Sequence, residues 1–310
     1  MKKTILAAAL ATVIAIPAHA AEFVNILTGG TSGVYYPLGN ALSSIYSKAL
    51  PGAKVSVQST KASVENLNLL QAGRGEIAFT LGDALSGAWA GDEEMGFKGK
   101  LDKLRTIAAI YPNYVQIVAS EESGIKTLAD LRGKRISVGA PKSGTELNAR
   151  AILKAAGLTY ADMSVQYLPF GESVELIKNR QLDATLQSAG LGVASIRDLA
   201  NSVAIRVVAI PAEMVAKVGD PAYEPAIIPA NTYKGQTEDV AAVSIRNLLV
   251  SHSGVSDATA CAMTKAIFDN IAELQASHAA AKGIDPAKAD KNPPAPLHPG
   301  AQAYYANKAC

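Results

Sequence analysis

Four turns rich in glycine, serine and threonine follow predicted strands and precede predicted helices. They comprise residues 29–33, 60–63, 143–145 and 188–192. A helix N-terminus offers unpaired backbone N–H groups and the positive end of the helix dipole, and it therefore favours anions. Several such ends in one cleft would hold a carboxylate without an arginine. Taken singly, each turn is equally well explained as an ordinary capped helix start.

Three charged residues adjoin these turns. Lys61 lies within the second turn and Lys142 directly precedes Ser143. Either lysine could add positive charge beside a bound anion, or could be solvated as exposed lysines usually are. Asp83 follows a predicted buried strand, where it could accept a hydrogen bond from an ammonium group or from the backbone of an opposite lobe. It could equally cap a following helix.

The sequence lacks the signatures of common enzymes. Residues 139–144 have the glycine spacing of a P-loop, but Thr145 and Glu146 stand where lysine and Ser/Thr must bind phosphate and magnesium. G-x-S-x-G and H-E-x-x-H motifs are absent from the sequence. The histidines outside the first twenty residues lie in or near the C-terminal region, where structural roles are favoured. We therefore expect a protein that is not an enzyme and that uses neither a cofactor nor a metal ion.

The chain has two cysteines, Cys261 and Cys310. In an oxidising compartment they could pair and anchor the C-terminal tail, or they could remain independent thiols, because sequence does not give the distance between them. Neither belongs to a Cys-x-x-Cys motif, which argues against redox catalysis and zinc binding.

The first twenty residues have the pattern of a secretory signal peptide. Lys2 and Lys3 precede an apolar run over residues 5–16, which is too short to span a membrane, and small residues lead to a cleavage site after Ala20. A buried N-terminal helix is the alternative. We expect cleavage after Ala20 and a periplasmic or extracellular mature protein.

Composition narrows the class of protein. The chain has 310 residues, of which 49% are hydrophobic and 18% charged, enough apolar side chain for one large domain or two ordinary ones. Without Lys2 and Lys3, 27 basic residues balance 27 acidic ones. A neutral chain with no basic stripe argues against nucleic-acid binding. After the signal peptide, uncharged apolar runs stay below 18 residues, so we expect no membrane insertion of the mature chain.

Alternation of strands and helices predicts an α/β architecture with largely parallel sheets. Predicted strands cover residues 23–28, 54–58, 77–81, 104–110, 115–119, 136–139, 165–168, 182–186 and 241–245. Predicted helices cover residues 35–50, 63–73, 143–157, 173–178 and 256–274, with short ones before Gly133 and through Tyr304. Ser-Val-Glu opens a helix at both Ser63 and Ser173, and each helix is followed by a turn and a buried strand. This matched order predicts two similar lobes.

Four motifs in this order resemble the TAXI class of solute-binding receptors that serve TRAP (tripartite ATP-independent periplasmic) transporters. They are GGTSGVYYP at residues 29–37, SVENL at 63–67, GKRISVGAP with SGT at 133–145, and PLHPGA with YY at 296–305. The resemblance extends over residues 22–308.

The resemblance implies a type II periplasmic-binding fold, in which a ligand cleft lies between two α/β lobes. Lobe 1 would comprise residues 22–108 plus 212–310, and lobe 2 residues 109–211. The implied function is capture of a small organic acid, a dicarboxylate or a glutamate-like molecule, and its delivery to TRAP membrane subunits by lobe closure. We expect a monomer.

The resemblance also implies a set of ligand-binding residues. They are Thr31, Ser32, Tyr35, Thr60, Ser63, Ser143, Gly144, Thr145, Asn148 and Ser188. From the charged residues and the fourth turn we add Lys61, Asp83, Lys142 and Gly190 as candidates. The family commonly has glycine at the two lysine positions. If both lysines face inward, a dianionic acid is favoured; if both face outward, a zwitterionic amino acid fits as well.

Two other functions fit the same fold. A periplasmic sensor subunit would deliver the ligand to a signalling receptor, and genes for TRAP membrane subunits beside this one would distinguish transport from sensing. Porphobilinogen deaminases show that an enzyme can use two such lobes, but that chemistry needs a covalent attachment, and residues 21–260 contain no cysteine.

Overall fold

The computed structural model describes residues 23–308 and residue 310. Within them, the strands are β1 (Phe23–Leu27), β2 (Lys54–Gln58), β3 (Ile77–Leu81), β4 (Leu104–Ser120), β5 (Arg135–Ser137), β6 (Ser164–Gln166), β7 (Ala184–Ala189), β8 (Ile205–Val208), β9 (Glu224–Ile228) and β10 (Val240–His252). The α-helices are α1 (Tyr35–Ala49), α2 (Ser63–Gln71), α3 (Gly82–Ala90), α4 (Gly144–Ala155), α5 (Phe170–Lys178), α6 (Ala194–Ser202), α7 (Ala212–Val218), α8 (Asp257–Asp269), α9 (Ile271–Ser277) and α10 (Pro299–Tyr305). Short 3₁₀ helices cover Glu121–Ser123, Leu128–Leu131, Tyr160–Asp162, Ala279–Gly283 and Pro286–Lys288.

The predicted signal peptide and its cleavage site lie outside the described residues. Among the described helices, none has both the length and the apolar character that crossing a membrane requires.

The sheet consists of two parallel halves joined by two long antiparallel strands. Its order is β2-β1-β3-β10-β4-β7-β5-β6, with β8 added beside β4 and β9 beside β10. In one half β1 pairs in parallel with β2 and β3, and in the other β5 pairs in parallel with β6 and β7. Helices cover both faces, as parallel strands require. The prediction of a two-lobed α/β periplasmic-binding fold is confirmed.

β4 is one continuous strand of 17 residues, whereas the sequence predicts two strands interrupted around Pro112. That prediction is wrong because the partner strand accommodates the proline. Pro112 lies opposite Arg246, and the register shifts between Arg246 and Leu248. Such an irregularity lets a residue without an N–H group sit inside a ladder. The strand therefore runs from one lobe into the other.

The second crossing between the lobes takes place within β10. Its last residues pair with β3, whereas Val240 pairs with Ile228 of β9, and α7 packs against α4. Ile210 N also donates to Ala241 O at 2.8 Å. Residues 212–239 therefore lie with lobe 2, although the sequence predicts them in lobe 1. Below, lobe 1 means residues 23–108 and 248–310, lobe 2 means residues 114–244, and β4 and β10 are the crossing strands.

The hydrophobic core has two layers, one on each face of the sheet. Successive side chains of a strand point to opposite faces, so Ile77 and Phe79 of β3 pack in the layer of α1 and α8, while Ala78 packs in the layer of α2 and α3. Both layers continue into lobe 2, the first under α5 and α6 and the second under α4 and α7. The core thus fixes every helix start that borders the cleft.

Cys261 of α8 and Cys310 form a disulfide, with their Cα atoms 5.4 Å apart. Of the two alternatives that the sequence leaves open, the structure contains the paired form. The bond ties the end of the chain to α8, on which α10 also packs.

Candidate functional site

A cavity of about 440 Å³ lies between the two lobes. Its walls include the beginnings of α1 and α2 from lobe 1, the beginnings of α4 and α5 from lobe 2, and part of β4. This is the position at the strand ends where open α/β sheets bind ligands. The predicted ligand-binding residues that line the cavity are Thr31, Ser32, Tyr35, Thr60, Lys61, Ser63, Ser143, Gly144, Thr145 and Ser188.

The turn before α1 brings the backbone to the cavity wall. The residue preceding the helix is Val34, and its side chain makes no capping hydrogen bond. The first turn of α1 therefore depends on solvent or a ligand for N–H groups that a serine or aspartate cap would otherwise bind. Tyr35 stacks on Phe79 with ring centroids 4.9 Å apart, which fixes this wall against the core.

The turn before α2 is held by its own polar side chains. Ala62 has a φ of +70°, and its N–H donates to Thr60 Oγ1 at 2.9 Å. Thr60 Oγ1 also lies 2.6 Å from Asn66 Oδ1, and the Asn66 amide donates to Thr28 O at 2.7 Å. The hydroxyl of Thr60 therefore shapes the turn. Ser63 Oγ accepts from Leu81 N at 3.2 Å, and its hydroxyl also hydrogen-bonds the phenol of Tyr35.

In lobe 2, α4 begins at the cavity with Ser143 as its cap. Ser143 Oγ accepts from Glu146 N at 3.1 Å, but the Glu146 carboxylate bonds Arg150 at 2.8 Å. A capping box between Ser143 and Glu146 is therefore only half formed. Thr145 Oγ1 accepts from Ser188 N at 3.3 Å, so the threonine proton remains available. Ser188 belongs to β7, not to a helix-opening turn, which is a difference from the sequence prediction.

The beginning of α5 forms a part of the cavity wall that the sequence does not predict. The helix starts at Phe170, three residues before the predicted start, and Phe170, Gly171 and Glu172 all line the cavity. No hydroxyl or glycine-rich turn marks this start. The usable signal was Pro169, because proline is favoured where a helix begins. Four helices, two from each lobe, thus direct their N-termini at one cavity.

The lobes touch beside this cavity. A Cβ added to Gly144 would lie 2.6 Å from Ser63 Oγ and 2.7 Å from Leu81 Cδ1, both in lobe 1. A Cβ added to Gly171 would lie 3.5 Å from Ser32 Oγ, which is an ordinary contact. Lobe 2 therefore approaches lobe 1 at two places, and only a glycine fits at the first.

Asn148 and Asp83 lie behind the cavity wall and do not line it. Asn148 Oδ1 accepts from Ser188 Oγ at 2.6 Å, and Asn148 Nδ2 donates to Asp83 Oδ2 at 2.7 Å. Tyr223 Oη donates to the same carboxylate oxygen at 2.8 Å. Asp83 belongs to lobe 1 and its two partners to lobe 2, so this buried network bridges the lobes. Burial is the main cause that raises the pKa of Asp83, to about 6.

Lys142 and Gly190 also fall outside the lining of the cavity. Lys142 is exposed and has a φ of +61°, whereas Lys61 lines the cavity. Gly190 packs beneath the site, where an added Cβ would lie 2.5 Å from Ala280 Cβ. The two lysines thus differ in position, which neither of the two sequence-based alternatives anticipated.

The charges on the wall are few. Among the described residues, the lining contains no arginine, and its charged side chains are Lys61 and Glu172. Positive potential for an anion comes mainly from the four helix N-termini. The described residues also contain no group of three or more His, Cys, Asp or Glu placed to hold a metal ion. His298 caps α10 by accepting from Gly300 N at 3.2 Å, a structural role.

Two further residues of the wall come from the crossing strand β4. Tyr111 is 1% exposed and Asn113 is 3% exposed, and both line the cavity. Asn113 Nδ2 donates to Ser188 O at 3.1 Å. Nearby, the phenol of Tyr35 donates to Asn247 Oδ1, and Asn247 Nδ2 donates to Tyr111 O at 3.0 Å. Residues 111–113 lie between two predicted strands, so neither side chain was among the predicted ligand-binding residues.

The sequence matches the model of the NMT1-like family over residues 26–308. Solved structures with similar folds include the alkanesulfonate-binding protein SsuA from Xanthomonas axonopodis pv. citri bound to MOPS, at 17% identity over 94% of this chain and 86% of that one, with a TM-score of 0.51. A putative L-cystine ABC transporter protein from Listeria monocytogenes is 14% identical over 86% of this chain and 99% of its own, with a TM-score of 0.54. An ancestral arginine-binding protein bound to arginine is 15% identical over 86% of this chain and 100% of its own, with a TM-score of 0.53. At these identities the likeness is one of fold.

Proposed function

We propose that this chain, which belongs to the NMT1-like family, is a periplasmic solute-binding protein that captures a small organic acid between its lobes. The observation that carries the proposal is the convergence of four helix N-termini on one cavity of about 440 Å³. Their N–H groups and dipoles suit a carboxylate, and the cavity volume suits a molecule of a few carbon atoms. Proteins of this fold that bind MOPS and arginine lend support by analogy.

The ligand-binding residues we propose come from both lobes. Thr31, Ser32 and Ser63 would contact the acid from lobe 1, and Gly144 and Thr145 from lobe 2. Because the two sets meet only when the lobes touch, a ligand that bonds both sets binds the touching arrangement better than a separated one. Moving such an equilibrium from 1:99 to 99:1 takes about 5.5 kcal/mol of differential affinity.

Lobe closure then serves delivery. We propose that the closed form is recognised by TRAP transporter membrane subunits, which follows from the TAXI resemblance of the motifs at residues 29–37 and 133–145. The protein would release its ligand unchanged. Recovery of a chemically altered acid after incubation would contradict a pure binding role, and separation on a sizing column tests the expected monomer.

Thermal unfolding of the mature protein tests the binding function. The panel contains C4 to C6 dicarboxylates, glutamate, glutamine and simple monocarboxylates, with the cationic amino acid arginine as a control. An acid present at about 100 times its dissociation constant should add about 2.7 kcal/mol to the unfolding free energy, or about 4 °C for a chain of this size. Stabilisation by arginine and by no acid would contradict the proposal.

A ligand retained through purification would mask such a shift. The protein is therefore unfolded, dialysed and refolded before the measurement, and the dialysate is examined by mass spectrometry. An organic acid found there supports the proposal directly. A refolded, ligand-free protein that no acid of the panel stabilises would count against it.

A further inference from the structure

Lobe 2 bonds lobe 1 directly at sites outside the cavity. In α4, Asn148 Nδ2 donates to Asp83 Oδ2 at 2.7 Å, and Arg150 Nη1 donates to Glu94 O at 2.8 Å. Tyr223 Oη donates to the same oxygen of Asp83 at 2.8 Å. None of these five residues belongs to the lining of the cavity. The bonds therefore join the two lobes without a ligand between donor and acceptor.

The bonds to Asp83 are the stronger part of this contact. Asp83 and Asn148 are completely buried, and Tyr223 is 6% exposed. Hydrogen bonds to a carboxylate are stronger than those between neutral groups, and exclusion of water strengthens them further. Arg150 is exposed, so its bond contributes less.

The lobe 2 half of the contact is already ordered before Asp83 meets it. Asn148 Nδ2 donates to Tyr223 Oη at 2.9 Å, and Asn148 Oδ1 accepts from Ser188 Oγ at 2.6 Å. These three residues all belong to lobe 2. Because their bonds hold the amide in one orientation, little conformational freedom is lost when Asp83 arrives.

Separation of the lobes breaks the bonds to Asp83. An added Cβ at Gly144, at the beginning of α4, would lie 2.7 Å from Leu81 Cδ1 of lobe 1. Asn148 follows Gly144 by one helical turn, and Asp83 follows Leu81 by two residues. A movement that takes Gly144 away from Leu81 therefore takes Asn148 away from Asp83, and a donor and acceptor more than about 3.5 Å apart no longer form a hydrogen bond.

We propose that Asp83, Asn148 and Tyr223 form a latch that stabilises the touching arrangement of the lobes without contacting the ligand. The effect on affinity rests on the proposed function, in which the ligand binds the touching arrangement. Apparent affinity is proportional to the share of protein in the binding-competent arrangement. A latch that raises this share tenfold therefore tightens the binding of every ligand tenfold, which corresponds to about 1.4 kcal/mol.

Tyr223→Phe tests the latch in solution, because it removes one donor and keeps the ring. Isothermal titration of the refolded, ligand-free protein should show about tenfold weaker binding, by the same factor for each acid of the panel that binds. Tyr233→Phe is the matched control, since Tyr233 is 3% exposed and its phenol donates to Gln116 Oε1 within lobe 2. We expect the control to bind as the wild type does. Equal affinities of the two variants, or a weakening that differs between acids, would overturn the proposal.

Asn148→Asp tests the latch without any ligand. The substitution places a second carboxylate against that of Asp83, and the repulsion is relieved when the lobes separate. Nitroxide labels on Asn68→Cys in α2 and Lys154→Cys in α4, both exposed positions, report the distance between the lobes by electron–electron resonance at pH 8.

The labelled protein should show a shorter-distance population that falls at least severalfold in Asn148→Asp. The same distance distribution with and without this substitution would overturn the latch. Because this measurement uses no ligand, it decides on the latch even if no acid of the panel binds, an outcome that would contradict the proposed function alone.

Discussion

Replacing Gly144 by alanine tests whether the arrangement in which the lobes touch is the ligand-bound one. The new Cβ would lie 2.6 Å from Ser63 Oγ and 2.7 Å from Leu81 Cδ1. These distances are about 1 Å shorter than favourable contacts between heavy atoms. Gly144 belongs to lobe 2 and the two opposing atoms to lobe 1. Ser63 Oγ is held by Leu81 N, so separation of the lobes is the simplest relief.

The expected size of the effect follows from this geometry. Overpacking of this kind costs about 1–3 kcal/mol, and here it applies only when the lobes touch. Ligand affinity should therefore fall about 5- to 150-fold. The melting temperature of the ligand-free protein should change little, because the separated lobes have room for the methyl group and alanine suits the first turn of a helix.

Isothermal titration with the acid that stabilises the protein most in thermal unfolding measures the affinity. Gly171→Ala is the control, because Gly171 also lies in a first helical turn facing lobe 1, but its added Cβ would lie 3.5 Å from Ser32 Oγ. We expect the control to bind within about twofold of the wild type. If Gly144→Ala binds as tightly as Gly171→Ala, the touching arrangement is not the ligand-bound form. If Gly144→Ala lowers the unfolding free energy of the ligand-free protein by as much as it lowers the binding free energy, the methyl group clashes in every arrangement.

Three other measurements test the structure. Burial raises the pKa of Asp83 from 3.8 to about 6, so its contribution to the unfolding free energy is fully present below about pH 3.8 and is lost as the pH rises through about 6. In urea unfolding between pH 4 and 8, the unfolding free energy should fall by roughly 3 kcal/mol, and Asp83→Asn should remove this fall. If the unfolding free energies of the wild type and Asp83→Asn depend equally on pH, Asp83 does not titrate this way. Lys61→Ala should weaken dianion binding by about two- to fivefold, less so in high salt, because Lys61 lines the cavity. Lys142→Ala should leave it unchanged, so equal effects in titrations of both variants would refute that placement. The Cys261–Cys310 disulfide closes a loop with a sequence separation of 49, for which the chain-entropy relation gives about 4 kcal/mol of stabilisation. Under reducing conditions the unfolding free energy should fall by most of this amount. An unchanged midpoint of the unfolding transition would contradict the prediction.

The sequence predicts best those elements whose ends carry a local signal. β2 and β3 have the bounds that their alternating or continuous apolar patterns predict. Ser256, where the sequence predicts a helix to begin, caps α8 by accepting from Thr259 N at 3.1 Å. By contrast, α3 was missed because Leu81 precedes it without a capping side chain. Local caps and periodicity thus recover the architecture but not every helix.

Local sequence signals account for only part of the candidate site. Serine and threonine residues at helix starts, whose capping chemistry is visible in sequence, lie in the cavity wall. Asn113 of the cavity wall is invisible to that reasoning, because its side chain is held by a carbonyl 75 residues away in β7. Asp83 and Asn148 have the right chemistry for a ligand but bond each other across the lobes instead. The partners of these side chains are distant in sequence, so the spacing of residues along the chain does not predict them.

The pairing of β3 with β10 has a consequence for how the chain folds. Leu81 of β3 faces Asn247 of β10 in the ladder, although more than half of the chain lies between them. Until β10 is available, the apolar segment Ile77–Leu81 has one edge without its native partner. Such an edge is a template for pairing with other chains, and closing so long a loop is slow. A chain that emerges N-terminus first would therefore expose an aggregation-prone strand until its last quarter arrives, which makes β3 the segment that a holding chaperone would need to shield.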